Sequence, residues 1–115
     1  MAKEIVTNAG TIYSVLTADT AIVGNIATDN DIRIDGRVEG DVDCKGKLVM
    51  GPQSYIKGNI NCVNAEVLGQ VDGDVAAVEM LTLRSQAVIN GAVKMATLMI
   101  EPNARLNGLC SMNAE

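Results

Sequence analysis

The sequence contains no Phe, no Trp and no His, and its only aromatic residues are Tyr13 and Tyr55. Without His, the commonest general base and the commonest metal ligand are missing. Without Phe or Trp, an ordinary two-layer core lacks its largest fillers. The 3 Cys fall short of a four-ligand structural zinc site, and their odd number gives no disulfide framework. Basic residues are the minority, 9 Lys and Arg against 14 Asp and Glu, for a net charge of −5. That balance opposes a nucleic-acid partner, because phosphate binding needs a basic surface. No basic cluster addresses acidic lipid headgroups. Apolar runs reach only four or five residues, too short to span a bilayer. The opening MAKEIVTNAG lacks the apolar stretch of a secretory signal, so a reducing cytoplasm is the expected compartment.

What is present is an apolar, glycine-rich chain, 48% hydrophobic with 11 Gly in 115 residues. This composition describes one small ordered domain rather than a disordered segment. Residues 32–44, IRIDGRVEGDVDC, match residues 65–77, AEVLGQVDGDVAA, at a shift of 33. Gly36, Val38, Gly40, Asp41 and Val42 fall on Gly69, Val71, Gly73, Asp74 and Val75. The register continues without a gap, so that Leu48, Gln53, Ile56 and Gly58 meet Leu81, Gln86, Ile89 and Gly91.

Each such unit is itself double. Gly40, Gly58, Gly73, Gly91 and Gly108 recur at spacings of 18, 15, 18 and 17, each with Val, Ile or Cys two residues on. Gly24, followed by Ile26, extends the series towards the N-terminus. The elementary period is therefore about 17 residues, with one turn shortened in alternate copies.

Three short runs of alternating apolar residues fill each period, which is the strand signal. The first supplies Ile32 and Ile34, Leu48 and Met50, Ala65 and Val67, Leu81 and Leu83, Leu98 and Ile100. The second supplies Val38, Ile56, Val71, Ile89 and Leu106, and the third begins at Val42, Ile60, Val75, Val93 and Cys110. Three strands per turn, each with one apolar face, predict an all-β, single-domain, three-sided β-helix of five to six coils of about 17 residues. Like positions then stack at the parallel-strand spacing of about 4.8 Å. The narrow interior accounts for Val, Ile, Leu, Met and Ala in place of Phe and Trp. The glycines Gly24, Gly40, Gly58, Gly73, Gly91 and Gly108 are read as corner residues, in the inward parity, where a side chain would crowd the corner or φ is positive. A dinucleotide loop is discounted, because no helix pattern follows them.

The runs IDGRVEGDV, AVINGAVKM and IEPNARLNG resemble the bactofilins, bacterial polymer-forming cytoskeletal proteins. The resemblance covers about residues 14–112, leaving 1–13 as a short flexible N-terminal tail and 113–115 as the C-terminal end. It implies a right-handed β-helix that assembles end to end, without nucleotide, into filaments lacking polarity. It implies no cofactor, and it implies scaffolding of cell-shape and cell-wall enzymes or inner-membrane proteins at the inner face of the cytoplasmic membrane. Leu106 stands in a column the family often fills with Phe. In the family, N-terminal tails contact membrane; here Ile5 and Val6 are the only large apolar candidates before Ile12.

The residues also argue for assembly on their own. A solenoid leaves unpaired backbone groups and an uncovered core section at each end. Neither end of the sequence shows an amphipathic helix to cap it. The last coil, Leu98, Ile100, Leu106, Cys110 and Met112, is as apolar as those inside, and the first contains Val15, Leu16, Ile22 and Ile26. These two sets are the expected polymerisation surfaces. By parity, Val49, Tyr55, Val88 and Met99 point outward and form a candidate lateral or partner patch. The pairs Asp41 with Asp74 and Glu39 with Asp72 are read as a solvated outer face. Cys44 and Cys62 are read as small buried thiols in one inward column.

Enzyme readings fare poorly. Hexapeptide-repeat acyltransferases use a catalytic His, and γ-class carbonic anhydrases use three His ligands. This chain has none and lacks a strict six-residue repeat. An ice-binding face is disfavoured too, because no Thr-x-Thr column stacks. A monomeric or oligomeric solenoid binding module stays open as the alternative.

Overall fold

Residues 5–7, by their backbone, and residues 14–112 are described by a computed structural model of the chain. Every element among them is a strand. β1 (Ile5–Thr7) precedes the first coil, which comprises β2 (Ser14–Leu16), β3 (Ala21–Val23) and β4 (Ile26–Thr28). The second coil is β5 (Ile32–Ile34), β6 (Arg37–Glu39) and β7 (Val42–Cys44). The third is β8 (Lys47–Met50), β9 (Tyr55–Lys57) and the first half of β10 (Ile60–Val67). The fourth takes the rest of β10, β11 (Gln70–Asp72) and the first half of β12 (Val75–Leu83). The fifth takes the rest of β12, β13 (Val88–Asn90) and β14 (Val93–Met95); the sixth is β15 (Thr97–Ile100), β16 (Arg105–Asn107) and β17 (Cys110–Met112).

All pairings are parallel and join like strands of successive coils. One sheet is β3-β6-β9-β11-β13-β16. The other two faces fuse into a single sheet, because β10 and β12 run through the corner between them. The expected three-sided solenoid is thus observed, in six coils. Register follows the repeat: Ile34 pairs with Met50, Met50 with Val67, Val67 with Leu83 and Leu83 with Ile100. The shortening of alternate turns lies mainly in one corner. Four-residue corners, such as Gly51–Ser54 and Arg84–Ala87, close with an N–H donated from the fourth residue to the first carbonyl, at 3.1 and 3.0 Å. The intervening coils turn there with only Asp35 and Gly36, or Leu68 and Gly69.

One contiguous core runs the length of the stack: Ile34, Val38, Leu48, Met50, Ile56, Val67, Val71, Leu81, Leu83, Ile89 and Met95 are all fully buried. Each coil is too narrow for a bicyclic ring at every level, and aliphatic side chains of adjacent coils fill it against each other. One expectation is refined. The corner glycines are required less by inward crowding than by the axis of the stack. At Gly73 φ is +152°, and a Cβ there would lie 2.0 Å from the carbonyl oxygen of Gly58 in the coil below. Gly58 stands in the same relation to Gly40. A side chain would force the coils apart at that corner, where the Gly73 N–H donates to the Asn90 carbonyl of the next coil at 3.0 Å.

A second difference concerns the N-terminus. Within the segment expected to be a free tail, Ile5–Thr7 pair in parallel with Ile26–Thr28 as β1. The physical reason is the open edge of β4, whose backbone groups otherwise have no strand on that side.

Gly73→Ala should therefore destabilise the domain by about 2 kcal/mol or more, from the positive φ and the axial clash together. Urea unfolding would check this; an unchanged midpoint would contradict the close carbonyl contact.

Candidate functional site

The C-terminal end is where otherwise buried columns become exposed. Ile34, Met50, Val67 and Leu83 are each 0% exposed, whereas Ile100, next in that column, is 49% exposed. Met95 is fully buried, and Met112, paired above it, is 56% exposed. Leu98 and Leu106 pack on the core but are only partly covered, and Cys110 is exposed above buried Val93. The residues are as apolar as their counterparts; what differs is the lack of a coil above them among the described residues. All five expected C-terminal residues thus share one end face.

The N-terminal set divides. Leu16 is half-buried at the rim and Ile22 is buried. Ile26 is only 2% exposed, with β1 paired over β4. Val15 belongs elsewhere: it pairs with Arg33, which pairs with Val49, so it occupies the outward column of the first-run face. Alternation puts Leu16, not Val15, in the inward parity.

Polar ladders run up the outside, and the sequence pattern had not exposed them. The residue after each corner glycine is Asn25, Asp41, Asn59, Asp74, Ala92 and Leu109 in turn. Asn25 Oδ1 accepts the Asp41 N–H (2.9 Å), and Asp41 Oδ1 accepts the Asn59 N–H (3.0 Å). Asn59 Oδ1 accepts the Asp74 N–H (3.2 Å), and Asp74 Oδ1 accepts the Ala92 N–H (3.0 Å). Asp41 and Asp74 are therefore more than a solvated surface: each satisfies the backbone of the coil above. The ladder stops at Ala92, which has no side-chain oxygen to offer. Leu109, the next residue in the column, is 78% exposed at the rim of the C-terminal end. The signal in the sequence is Asn or Asp after four successive corner glycines, Gly24, Gly40, Gly58 and Gly73, but its meaning depends on the stacking.

Two further networks cross coils. Arg84 donates to Glu66 and to Glu101, both at 2.8 Å, and Lys47 lies 3.4 Å from Glu66. Arg84 holds the Glu66 and Glu101 carboxyls below their usual range, with Lys47 and the Ser85 N–H assisting respectively. Asp72 accepts from Asn90 Nδ2 (2.9 Å), the Tyr55 hydroxyl and Gln70 Nε2, and these bonds lower its carboxyl pKa. The Asp72 bond in turn raises that of Tyr55.

The expected lateral patch is interrupted. Val49 and Met99 do share a column, but Glu66 and Thr82 separate them. Tyr55 and Val88 share another, with Gln70 between them. Tyr55 is further occupied by Asp72 and by the Arg37 guanidinium, 5.8 Å from its ring centre.

Cys44 and Cys62 are buried free thiols. Cys44 Sγ donates to the Asn30 carbonyl and Cys62 Sγ to that of Ala76, in coils on opposite sides. Burial pushes the Cys62 thiol up to about 12, so it stays protonated. The cavity of about 340 Å³ beside them is a shallow surface groove. No group of three or more His, Cys, Asp or Glu side chains among the described residues could hold a metal ion. No helix among the described residues is long and apolar enough to cross a membrane.

The described residues define a class: a parallel β-solenoid whose buried apolar columns become exposed at the last coil. The chain belongs to the bactofilin family, whose model, described as "Bactofilin: Polymer-forming cytoskeletal", matches residues 14–111. It is 28% identical over 111 residues to Bactofilin BacP of Myxococcus xanthus (strain DK1622), covering 96% of this chain and 46% of that relative. It is 26% identical over 100 residues to Bactofilin BacO of the same organism, covering 87% of this chain and 79% of BacO. The chain thus spans less than half the length of BacP. No solved structure matches it. The family it belongs to is described as polymer-forming and cytoskeletal.

Two expectations follow from the ladders. Ala92→Asn should add a side-chain acceptor beneath the Leu109 N–H and stabilise the fold by about 1 kcal/mol, readable as a raised urea midpoint. No gain would mean that the ladder does not extend to the last coil. Glu66 and Glu101 have lowered folded-state pKa values, so their stabilisation is present above the unfolded carboxylate pKa of about 4.3 and lost as pH falls through the folded one. Arg84→Met should flatten that acid limb of the stability–pH profile, whereas an identical limb would assign it to other carboxylates.

Proposed function

We propose that the chain assembles end to end into nucleotide-independent filaments through its two terminal coils. The observation that carries this is the change along single columns, from full burial at Leu83 and Met95 to half exposure at Ile100 and Met112. A second copy stacked on that face would bury Leu98, Ile100, Leu106, Cys110 and Met112 together, with Leu109 at the rim. Apolar burial of this kind contributes about 25 cal/mol per Å². It would also shelter the exposed edges of β15, β16 and β17.

The polar columns favour like ends meeting. In a head-to-tail joint, the Asn25 N–H would sit over Leu109, which carries no acceptor. Asn107, which donates to Asn90 Oδ1 at 2.8 Å, would face Val23, which can neither donate nor accept through its side chain. Joints of C-terminal end with C-terminal end, alternating with joints of N-terminal ends, avoid both mismatches and give a filament without polarity. The coil is right-handed by likeness to the family. The filament serves as a scaffold for cell-shape or cell-wall machinery, on the cytoplasmic side of the membrane. The role is structural rather than catalytic: the carboxylates that recur between coils are engaged in ladders and ion pairs.

Leu106→Arg or Ile100→Arg should leave a folded protein, since both residues are at an end. Negative-stain microscopy without nucleotide or metal should show filaments for the unaltered chain and none for either variant. Long filaments from both variants would remove the C-terminal face from the joint. A monomeric unaltered chain would favour a solenoid binding module instead.

A further inference from the structure

The two rims of the solenoid are not equally open. At the C-terminal rim, β15, β16 and β17 all present unpaired edges among the described residues. At the N-terminal rim β2 and β3 do so, but β4 carries β1 in the register Ile5–Ile26, Val6–Ala27 and Thr7–Thr28. The side chains report the difference. Ile26 and Cys110 stand at opposite ends of one column, yet Ile26 is 2% exposed, as buried as an interior residue, and Cys110 is exposed.

β1 occupies the place a further coil would take, but it is attached differently. Elsewhere the step from a third-run strand to the next first-run strand uses at most three residues, as between Thr28 and Ile32. Between β1 and β2 the chain has residues 8–13. A three-residue ladder contributes a few backbone hydrogen bonds, each small net of water, against the entropy of ordering the segment. A docking partner that covered all three edges of the rim and the core section inside them would offer far more.

Resting on the end-to-end reading above, we infer that the N-terminal rim is an interaction surface for a second copy of this chain, and that β1 is its cap. β1 and the second copy compete for the β4 edge. The C-terminal rim has no such competitor, so pairs joined at C-terminal ends form first. Growth beyond the pair requires β1 to leave β4. Control of assembly is thereby placed in residues 5–7, at the opposite end of the molecule from the exposed apolar columns.

The register supplies the test. Stacked parallel residues lie about 4.8 Å apart, inside the Cα separation of about 4.4–6.8 Å that a disulfide spans. Val6→Cys with Ala27→Cys in the full chain should therefore form a bridge that holds β1 on β4. Sedimentation and negative-stain microscopy would compare this variant oxidised and reduced. The unaltered chain, oxidised in parallel, controls for Cys110. The bridged protein should stop at dimers, and dithiothreitol should release filaments from the same sample. Filaments from the bridged protein would overturn the cap, as would failure of the pair to oxidise. Absence of filaments even after reduction, with the unaltered chain also failing, would overturn the end-to-end reading itself. Deleting residues 1–7 should lower the critical concentration about five- to tenfold, the equivalent of one to two net hydrogen bonds. An unchanged critical concentration would also overturn the cap.

Discussion

Each coil of this chain completes its backbone hydrogen bonding only through the coils before and after it. At the glycine corner the Gly40 N–H donates to Lys57, Gly58 to Asp72 and Gly73 to Asn90, at 2.9–3.0 Å. That stacking sets the spacing of about 4.8 Å, and the spacing dictates much of the composition. A column of residues so close tolerates no Cβ against the carbonyl beneath, hence the glycines. An interior one coil wide favours aliphatic side chains, hence no Phe or Trp. Outside, the same spacing lets Asn and Asp reach the next backbone N–H and lets Arg84 bridge carboxylates two coils apart.

Stacking interactions along one axis have no internal limit. They end in this structure where a column runs out of neighbours, and the result is a surface with the chemistry of a core. The end face around Ile100, Leu106 and Met112 consists of interior-type positions with no further coil above them among the described residues, so on the proposed reading it needs no special binding residues. On that reading, specificity would reside at the perimeter. There the Asn and Asp ladder has given way to Ala92 and Leu109, and the amide column of Asn90 and Asn107 has no match in Val23. In the proposed filament, a perimeter of this kind would reject some joints while the apolar centre would hold those it permits.

The repeat made the fold legible. Period-two alternation inside a period of about 17 residues assigned the inward columns correctly from Ile32 to Met112, because burial on one face leaves a direct imprint on residue type. Three features left weaker imprints. Val15 and Leu16 are adjacent apolar residues, so the sequence does not say which of them faces inward; the pairing of Val15 with Arg33 turns it outward. β1 is only three residues long and has no repeat partner in the pattern. The Asn and Asp ladder was visible as a composition but not as a function, since its meaning depends on which backbone N–H stacks above each side chain. The candidate end surfaces were legible to the extent that they are core. Their perimeter, which depends on side-chain geometry between coils, was not.

Fibre diffraction from aligned filaments tests the central claim most directly. Coils stacked along the filament axis place every strand across it, so a strong meridional reflection should appear at about 4.8 Å. Six coils per chain should add an axial subunit repeat of about 29 Å, or twice that where like ends meet. A 4.8 Å reflection on the equator would mean that the solenoids lie side by side across the filament, and end-to-end stacking would be wrong.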